Sequence, residues 1–176
     1  GMQQQALAIV EQLGLDHSAM PAALCLFQPD WHQGVVGLLA SRIKEKYHRP
    51  VVAFARGDNG ELKGSSRSIP GLHIRDALDA VATQNPGLIT KFGGHAMAAG
   101  LSLSEDKLAE FENAFQAQVA KSVSTDDLQA KLVTDGSLEP QQISMHTAEL
   151  LRDAGPWGQL FPEPCFQGDF RIVQQR

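Results

Sequence analysis

The glycine-rich segment 91–100 (KFGGHAMAAG) contains the residues that are best suited to bind a ligand. Because Gly93 and Gly94 have no side chains, a ligand can approach the backbone closely, and the amides can point at phosphate oxygens. His95 adds an imidazole that can donate a hydrogen bond or carry a positive charge. The same pattern also fits a glycine pair that only ends a helix, followed by a histidine that faces water. The spacing alone leaves both interpretations open.

A second segment, 63–68 (KGSSRS), combines an arginine with three hydroxyl groups. Arg67 can bind a phosphate through two parallel hydrogen bonds, and the hydroxyls of Ser65, Ser66 and Ser68 can donate to the same oxygens. The alternative is a solvent-exposed strand whose arginine pairs with a neighbouring carboxylate. Taken together, the two segments favour a phosphate-binding site.

A third segment, 31–37 (WHQGVVG), precedes and begins a predicted helix. Free amides at a helix start can face an anion, and Trp31 can stack on a nucleic-acid base. The favoured interpretation is structural, since the glycines permit close packing of a helix on a sheet and Trp31 suits the margin of the core.

Catalytic and metal-binding motifs are missing from the sequence. There is no GxSxG elbow, HExxH helix, Walker loop or GxGxxG fingerprint. Asp16 and His17 are adjacent, but no second adjacent histidine or aspartate-rich motif accompanies them. Cys25 and Cys165 lie outside any CxxC pair, which argues against a zinc site or a disulfide framework. We therefore predict no catalytic and no metal-binding residues in this chain.

The charge distribution is uneven. The formal net charge is −5, which argues against a protein coated with positive charge for unspecific binding to duplex DNA. Basic residues and histidines nevertheless concentrate in 63–95, whereas acidic residues crowd 105–127. Any nucleic-acid site should therefore be local, on one face of the molecule. No apolar run is long enough to span a bilayer, and we expect a cytoplasmic protein with no membrane partner.

The order of the predicted elements indicates an α/β fold, because an apolar strand, an amphipathic helix and a second apolar strand follow one another. The predicted strands are 22–27, 51–55, 61–68, 98–103, 130–134 and 166–174. The predicted helices are 34–47, 73–83, a short helix that opens at 85–86 and ends at the glycine pair 93–94, one that begins at Ser104, and 144–152. A polar linker is predicted at 122–128, and the chain stops before the last segment could complete a small barrel.

The three motifs, together with 48–54 (HRPVVAF) and 150–158 (LLRDAGPWG), resemble the single-strand-specific exonucleases of the DHH phosphoesterase superfamily. The resemblance covers nearly the whole chain. It implies a mixed sheet flanked by helices, which is the C-terminal substrate-binding domain of that superfamily, followed by an incomplete oligonucleotide-binding barrel. The implied organisation is a helix or linker at 1–20, the nucleic-acid-binding domain at 21–122 and the truncated barrel at 123–176.

Members of that family degrade single-stranded DNA from the 5′ end during recombination and repair. They use two manganese or magnesium ions held by an N-terminal domain whose Asp-His-His motif this sequence lacks. The resemblance therefore implies a fragment that binds no cofactor, is inactive alone, and works with single-stranded DNA and with the DHH catalytic domain of the same polypeptide. It places strand phosphates against Gly93, Gly94, His95 and Arg67, with Ser65, Ser66 and Ser68 in support.

Two other functions stay open at this point. Relatives with the same C-terminal domain cleave small nucleotides or oligoribonucleotides, although the segment after residue 123 argues against that function. The chain could also be a stand-alone nucleic-acid-binding or regulatory module. A DHH domain encoded upstream would favour an enzyme over a free-standing module.

Overall fold

The computed structural model describes residues 20–158 and 161–175, which form two compact units divided between Ala130 and Lys131. The predicted N-terminal segment 1–20 and the Asp16–His17 pair lie outside the described residues, apart from Met20. Within the described residues, no helix is both long and apolar enough to cross a bilayer.

The first unit is built on a five-stranded mixed sheet with the order β1-β2-β3-β5-β4. β1 and β2 are parallel, whereas the other neighbouring pairs are antiparallel. This arrangement confirms the predicted α/β fold with a mixed sheet. The strands are β1 (Leu24–Phe27), β2 (Val51–Arg56), β3 (Glu61–Arg67), β4 (Lys91–Gly94) and β5 (Ala98–Ser104).

Three helices flank this sheet, and side chains cap the starts of two of them. The His32 imidazole accepts a hydrogen bond from the Gly34 amide (3.0 Å) at the start of the first helix, and His73 caps the second in the same way. His32 therefore serves as a cap. The helices are α1 (Gln33–Tyr47), α2 (Ile74–Gln84) and α3 (Leu108–Ser122); a fourth, α4 (Met145–Asp153), belongs to the second unit.

The sheet separates two apolar clusters. On one face, α2 and α3 bury aromatic and aliphatic residues such as Phe54, Leu101 and Phe111. On the other face, α1 packs on β2 and β3 over a smaller cluster. Trp31 lies in this smaller cluster and is only 6% exposed, so it fills the core margin and is not available to stack on a base.

The predicted helix that opens at 85–86 and ends at 93–94 is wrong, because a turn at 86–88 leads into the edge strand β4. Gly87 has a φ of +80°, which breaks a helix, and the backbone of 91–94 pairs with β5. Alternating exposure along 91–94 fits a strand with one covered face. The glycine pair therefore belongs to a sheet edge and caps no helix.

In the second unit, α4 is confirmed, but the strands predicted at 130–134 and 166–174 are wrong. One isolated bridge, Ser137 to Gln167, is formed near them. An alternating pattern makes a strand only where a partner supplies backbone hydrogen bonds. Val133 is instead 83% exposed. That this unit begins an oligonucleotide-binding fold stays a prediction.

Candidate nucleic-acid interface

Helix α1 leaves half of one side of the sheet uncovered, and we call this surface the open face. Three rows of residues cross its strands. Residues two apart on a strand point to the same side, so the three rows share one surface. In the first row Arg67 is aligned with Ala98. In the middle row Ser65 is aligned with Gly100 and Gly93. In the third row Lys63 is aligned with Ser102 and Lys91. His95 completes the first row, because its amide donates to the Ala98 carbonyl (2.8 Å).

Arg67 ends β3 and lies between that strand and α1. Its Nε donates to Ser41 Oγ (3.1 Å), and its Nη1 donates to Ser65 Oγ (3.1 Å) and to the Ser66 carbonyl (2.8 Å). A Cβ added at Gly37 of α1 would lie 3.3 Å from Arg67 Nη2, so the missing side chain makes room for the guanidinium. The half-buried guanidinium is thus held in place by hydroxyl and carbonyl oxygens. These partners are neutral, so they do not offset its positive charge.

His95 lies in the tight turn between β4 and β5, and it is exposed. The turn is fixed from both sides, since the Ser68 amide donates to the Met97 carbonyl and the Ile74 amide donates to the Ala96 carbonyl (2.9 Å each). Arg67 and His95 lie at the two ends of the first row, with Ala98 between them. Their Cα atoms are therefore about 10 Å apart, or two strand spacings. The two residues that we predicted to converge therefore lie at the same end of the sheet.

The three glycines of this region play different parts. Cβ atoms added at Gly93 and Gly100 would meet open space or only the Gly64 carbonyl at 3.8 Å, so these two form a bare floor in the middle row. Gly94 has a φ of +147°, and a Cβ there would lie 2.4 Å from the Ala98 carbonyl oxygen. Gly93 thus leaves space for a ligand, whereas Gly94 is required by the backbone itself.

The third row forms a basic end to the open face. Lys63 Nζ lies 3.0 Å from Ser102 Oγ and 2.5 Å from Glu61 Oε2. The hydrogen bond with Lys63, and to a lesser degree the charges of Lys63 and Lys91, hold the pKa of Glu61 below its usual range. An open cavity of about 440 Å³ lies above this end. Its lining residues are Lys63, Gly64, Lys91, Phe92, Gly93, Gly100, Leu101 and Ser102.

Two of the three serines that we predicted to support phosphate binding do not face this surface, so that part of the prediction is wrong. Ser66 is fully buried on the opposite side of β3, where its hydroxyl donates to the Ala99 carbonyl (2.8 Å). Ser68 is also buried, and its hydroxyl donates to the Leu72 carbonyl (2.7 Å). Both hydroxyls satisfy backbone groups, so only Ser65 of the three lies beside Arg67 on the open face.

We expect Ser66→Ala to lower the free energy of unfolding by about 1 kcal/mol, because it removes one buried hydrogen bond. Nucleic-acid affinity should not change, since the side chain lies under the sheet. Urea unfolding and a binding titration on the same preparation measure the two effects. A loss of affinity without a loss of stability would contradict the structural role of Ser66.

The basic concentration predicted at 63–95 includes Lys63 and Lys91, but neither lysine was assigned to the site, and Gly100 and Ser102 were given no role. Alternation along the predicted return strand already places Lys63, Ser65 and Arg67 on one side and Ser66 on the other. The position of Lys91 beside Lys63 on this face was missed because segment 91–94 was interpreted as the end of a helix. Strand alternation was therefore the signal that could have found part of this surface.

The described residues offer no group of three histidine, cysteine, aspartate or glutamate side chains placed to hold a metal. Both cysteines are free thiols. Cys25 packs against the larger core cluster, where burial and then the Glu112 carboxylate raise the pKa of its thiol.

Sequence comparisons match the chain to one domain family and to several curated relatives. Residues 18–121 match the DHHA1 domain family. All 176 residues align with the single-stranded-DNA-specific exonuclease RecJ of Escherichia coli strain K12 at 56% identity, and with that of Haemophilus influenzae strain Rd at 50%. The chain covers 30% and 31% of those two proteins, so it spans about a third of the length of these curated relatives.

Structural comparison agrees with the sequence. RecJ from Thermus thermophilus, solved in complex with Mg²⁺, superposes with a TM-score of 0.75 at 28% identity, over 94% of this chain and 25% of that one. A manganese-bound exonuclease RecJ gives a TM-score of 0.56 at 30% identity, over 72% of this chain and 32% of that one. The resemblance to this exonuclease family is confirmed. The chain belongs to the DHHA1 domain family and is similar along its whole length to RecJ exonucleases.

Proposed function

We propose that the open face binds the sugar-phosphate backbone of single-stranded DNA, as part of a RecJ-like 5′-to-3′ exonuclease that acts in recombination and repair. The observation that carries this proposal is the pre-positioned guanidinium of Arg67, which lies in one row with the exposed His95 turn beside a bare glycine floor. Phosphate contacts of this type fix the position of a strand without reading its sequence.

The comparisons support the enzymatic context of this proposal. The curated relatives are named single-stranded-DNA-specific exonucleases, and the solved RecJ structures contain Mg²⁺ or Mn²⁺. We propose that the metal-dependent cutting machinery belongs to the part of the relatives that this chain does not span. The DHHA1 domain then binds the strand and orients it, and the isolated chain neither holds these metals nor hydrolyses DNA.

We expect the isolated chain to bind single-stranded oligonucleotides weakly, with an affinity that falls as salt is added. Each phosphate neutralised by a lysine or arginine releases counterions, so the slope of log affinity against log salt should be about −0.7 per contact. Fluorescence anisotropy with a labelled oligothymidylate measures this slope. Incubation of the same strand with the chain and manganese tests for cleavage.

Two results would contradict the proposal. Binding that does not change with salt would rule out phosphate contacts as the source of affinity. Metal-dependent cleavage by the pure chain would show that it contains a catalytic centre, against our assignment of a binding role. Joining the chain to a DHH catalytic domain should restore cleavage in the same assay.

A further inference from the structure

The basic end of the open face is separate from the Arg67 and His95 row. Lys63, Ser102 and Lys91 occupy three adjacent strands at one level of the sheet. Lys63 lies four residues before Arg67 on β3, which is about 13 Å along an extended strand. Lys63 Nζ is held against Ser102 and Glu61, on the side away from Arg67, so we expect separate phosphates at the two ends, and a ligand that uses both then carries at least two.

The charges at this end leave one cation available. Lys63 is paired with Glu61 at 2.5 Å, and the lowered pKa of Glu61 means that this carboxylate stays ionised at neutral pH. Lys91 is exposed and, within the described residues, its ammonium group forms no side-chain hydrogen bond or salt bridge. With two lysines and one carboxylate, the cluster is positive overall and attracts an anion. Glu61 also lines the neighbouring depression with Asp58, which disfavours a phosphate chain beyond it.

The middle row separates the two cationic ends without obstructing them. Gly93 and Gly100 leave the surface bare, and Ser65 is the side chain that shares their row. An extended strand can therefore cross this row while its phosphates reach the two ends. The open cavity of about 440 Å³ over the basic end provides room for the second nucleotide unit.

We propose that Lys91, Lys63 and Ser102 form a second phosphate subsite for the strand held by Arg67 and His95, so that the backbone runs parallel to β3. This inference rests on the proposed function and extends it, because it assigns a direction across the sheet and a minimum ligand length. Ser102, only 5% exposed, positions Lys63 through its hydroxyl, while Lys91 supplies a charge that no salt bridge within the described residues holds.

The test compares Lys91→Gln with Lys121→Gln in the whole chain. Lys121 carries the same charge, but it is exposed on α3, which packs on the opposite face of the sheet. Lys91 is a cleaner target than Lys63, whose loss would leave Glu61 unpaired. The ligands are thymidine 5′-monophosphate, which has one phosphate, and an oligothymidylate of about eight nucleotides, within the range of single-strand binding sites.

We expect Lys91→Gln to weaken oligonucleotide binding about three- to tenfold at low salt and to reduce the salt slope by about 0.7, as for one lost phosphate contact. Its affinity for the mononucleotide should not change, and Lys121→Gln should affect neither ligand. NMR titrations that follow the Gly93, Gly100 and Ser102 amides report the two ligands separately. Only the oligonucleotide should shift the Ser102 signal.

The inference is overturned if Lys91→Gln behaves like Lys121→Gln, or if it weakens the mononucleotide and the oligonucleotide equally. In either case the proposed function would stand provided that binding still depends on Arg67. A wild-type chain that binds neither ligand at low salt would overturn the proposed function, and the second subsite with it.

Discussion

Gly94→Ala should destabilise the first unit by about 2–5 kcal/mol, the sum of a strained backbone and an overpacked contact. The added Cβ would lie 2.4 Å from both the Ala98 carbonyl oxygen and the Ala99 Cα atom. Both are backbone atoms of β5 and cannot rotate away. The φ of +147° is also a conformation that an alanine rarely adopts. Urea unfolding followed by circular dichroism measures the loss.

Gly93→Ala is the matched control for this substitution. It changes the preceding residue of the same strand, but its Cβ meets no atom within 4 Å. We expect its free energy of unfolding to stay within about 0.5 kcal/mol of wild type, as for an ordinary surface substitution. Equal stability of the two variants would show that β4 does not approach β5 as closely as the structure places it.

Arg67→Ala should cause the largest loss of strand affinity, at least about tenfold at low salt, because it removes a charged donor that can make two hydrogen bonds to one phosphate. Arg67→Lys should bind with intermediate affinity, since it keeps the charge but loses the planar pair of donors. Anisotropy titrations with the same labelled strand measure both variants under conditions in which each is fully folded.

Arg56→Ala provides the charge-matched control. Arg56 lies at the far end of β2, where it forms a two-point salt bridge with Glu105 (2.8 and 3.0 Å). Arg56→Ala lowers the net charge by the same amount as Arg67→Ala, but it leaves the open face unchanged. If Arg56→Ala lost as much affinity as Arg67→Ala, the effect would be one of net charge. If the affinity of Arg67→Ala fell only as its stability fell, Arg67 would have a packing role.

Much of the fold follows from local patterns. The helix predicted at 34–47 is present at Gln33–Tyr47, and the return strand predicted at 61–68 is present at Glu61–Arg67. The helix has a clear apolar period and stops before Pro50, and the return strand follows an Asn-Gly turn signal at 59–60, so local residues suffice to predict both. By contrast, 91–94 is short and half exposed, and only hydrogen bonds from β5 make it a strand.

The site was predictable in its residue types but not in its arrangement. An arginine among hydroxyls and a histidine after two glycines were sufficient to indicate phosphate binding and to support the family resemblance. The sequence could not show that Arg67 rests in a gap left by Gly37, 30 positions earlier in the chain. It also did not distinguish Gly94, which the backbone requires, from Gly93, which leaves space.

By itself, then, the sequence determined the longer elements of the first unit, the family and the cationic chemistry of the site, because these depend on residue types and on patterns within single segments. Alternation along 61–68 separates Ser66 and Ser68 from Arg67, but the tertiary structure alone decided that their side of the sheet is buried and that Lys63, Ser102 and Lys91 share one row. The physical reason is that strand register and burial depend on hydrogen-bond partners and packing neighbours from distant segments, which no local pattern encodes.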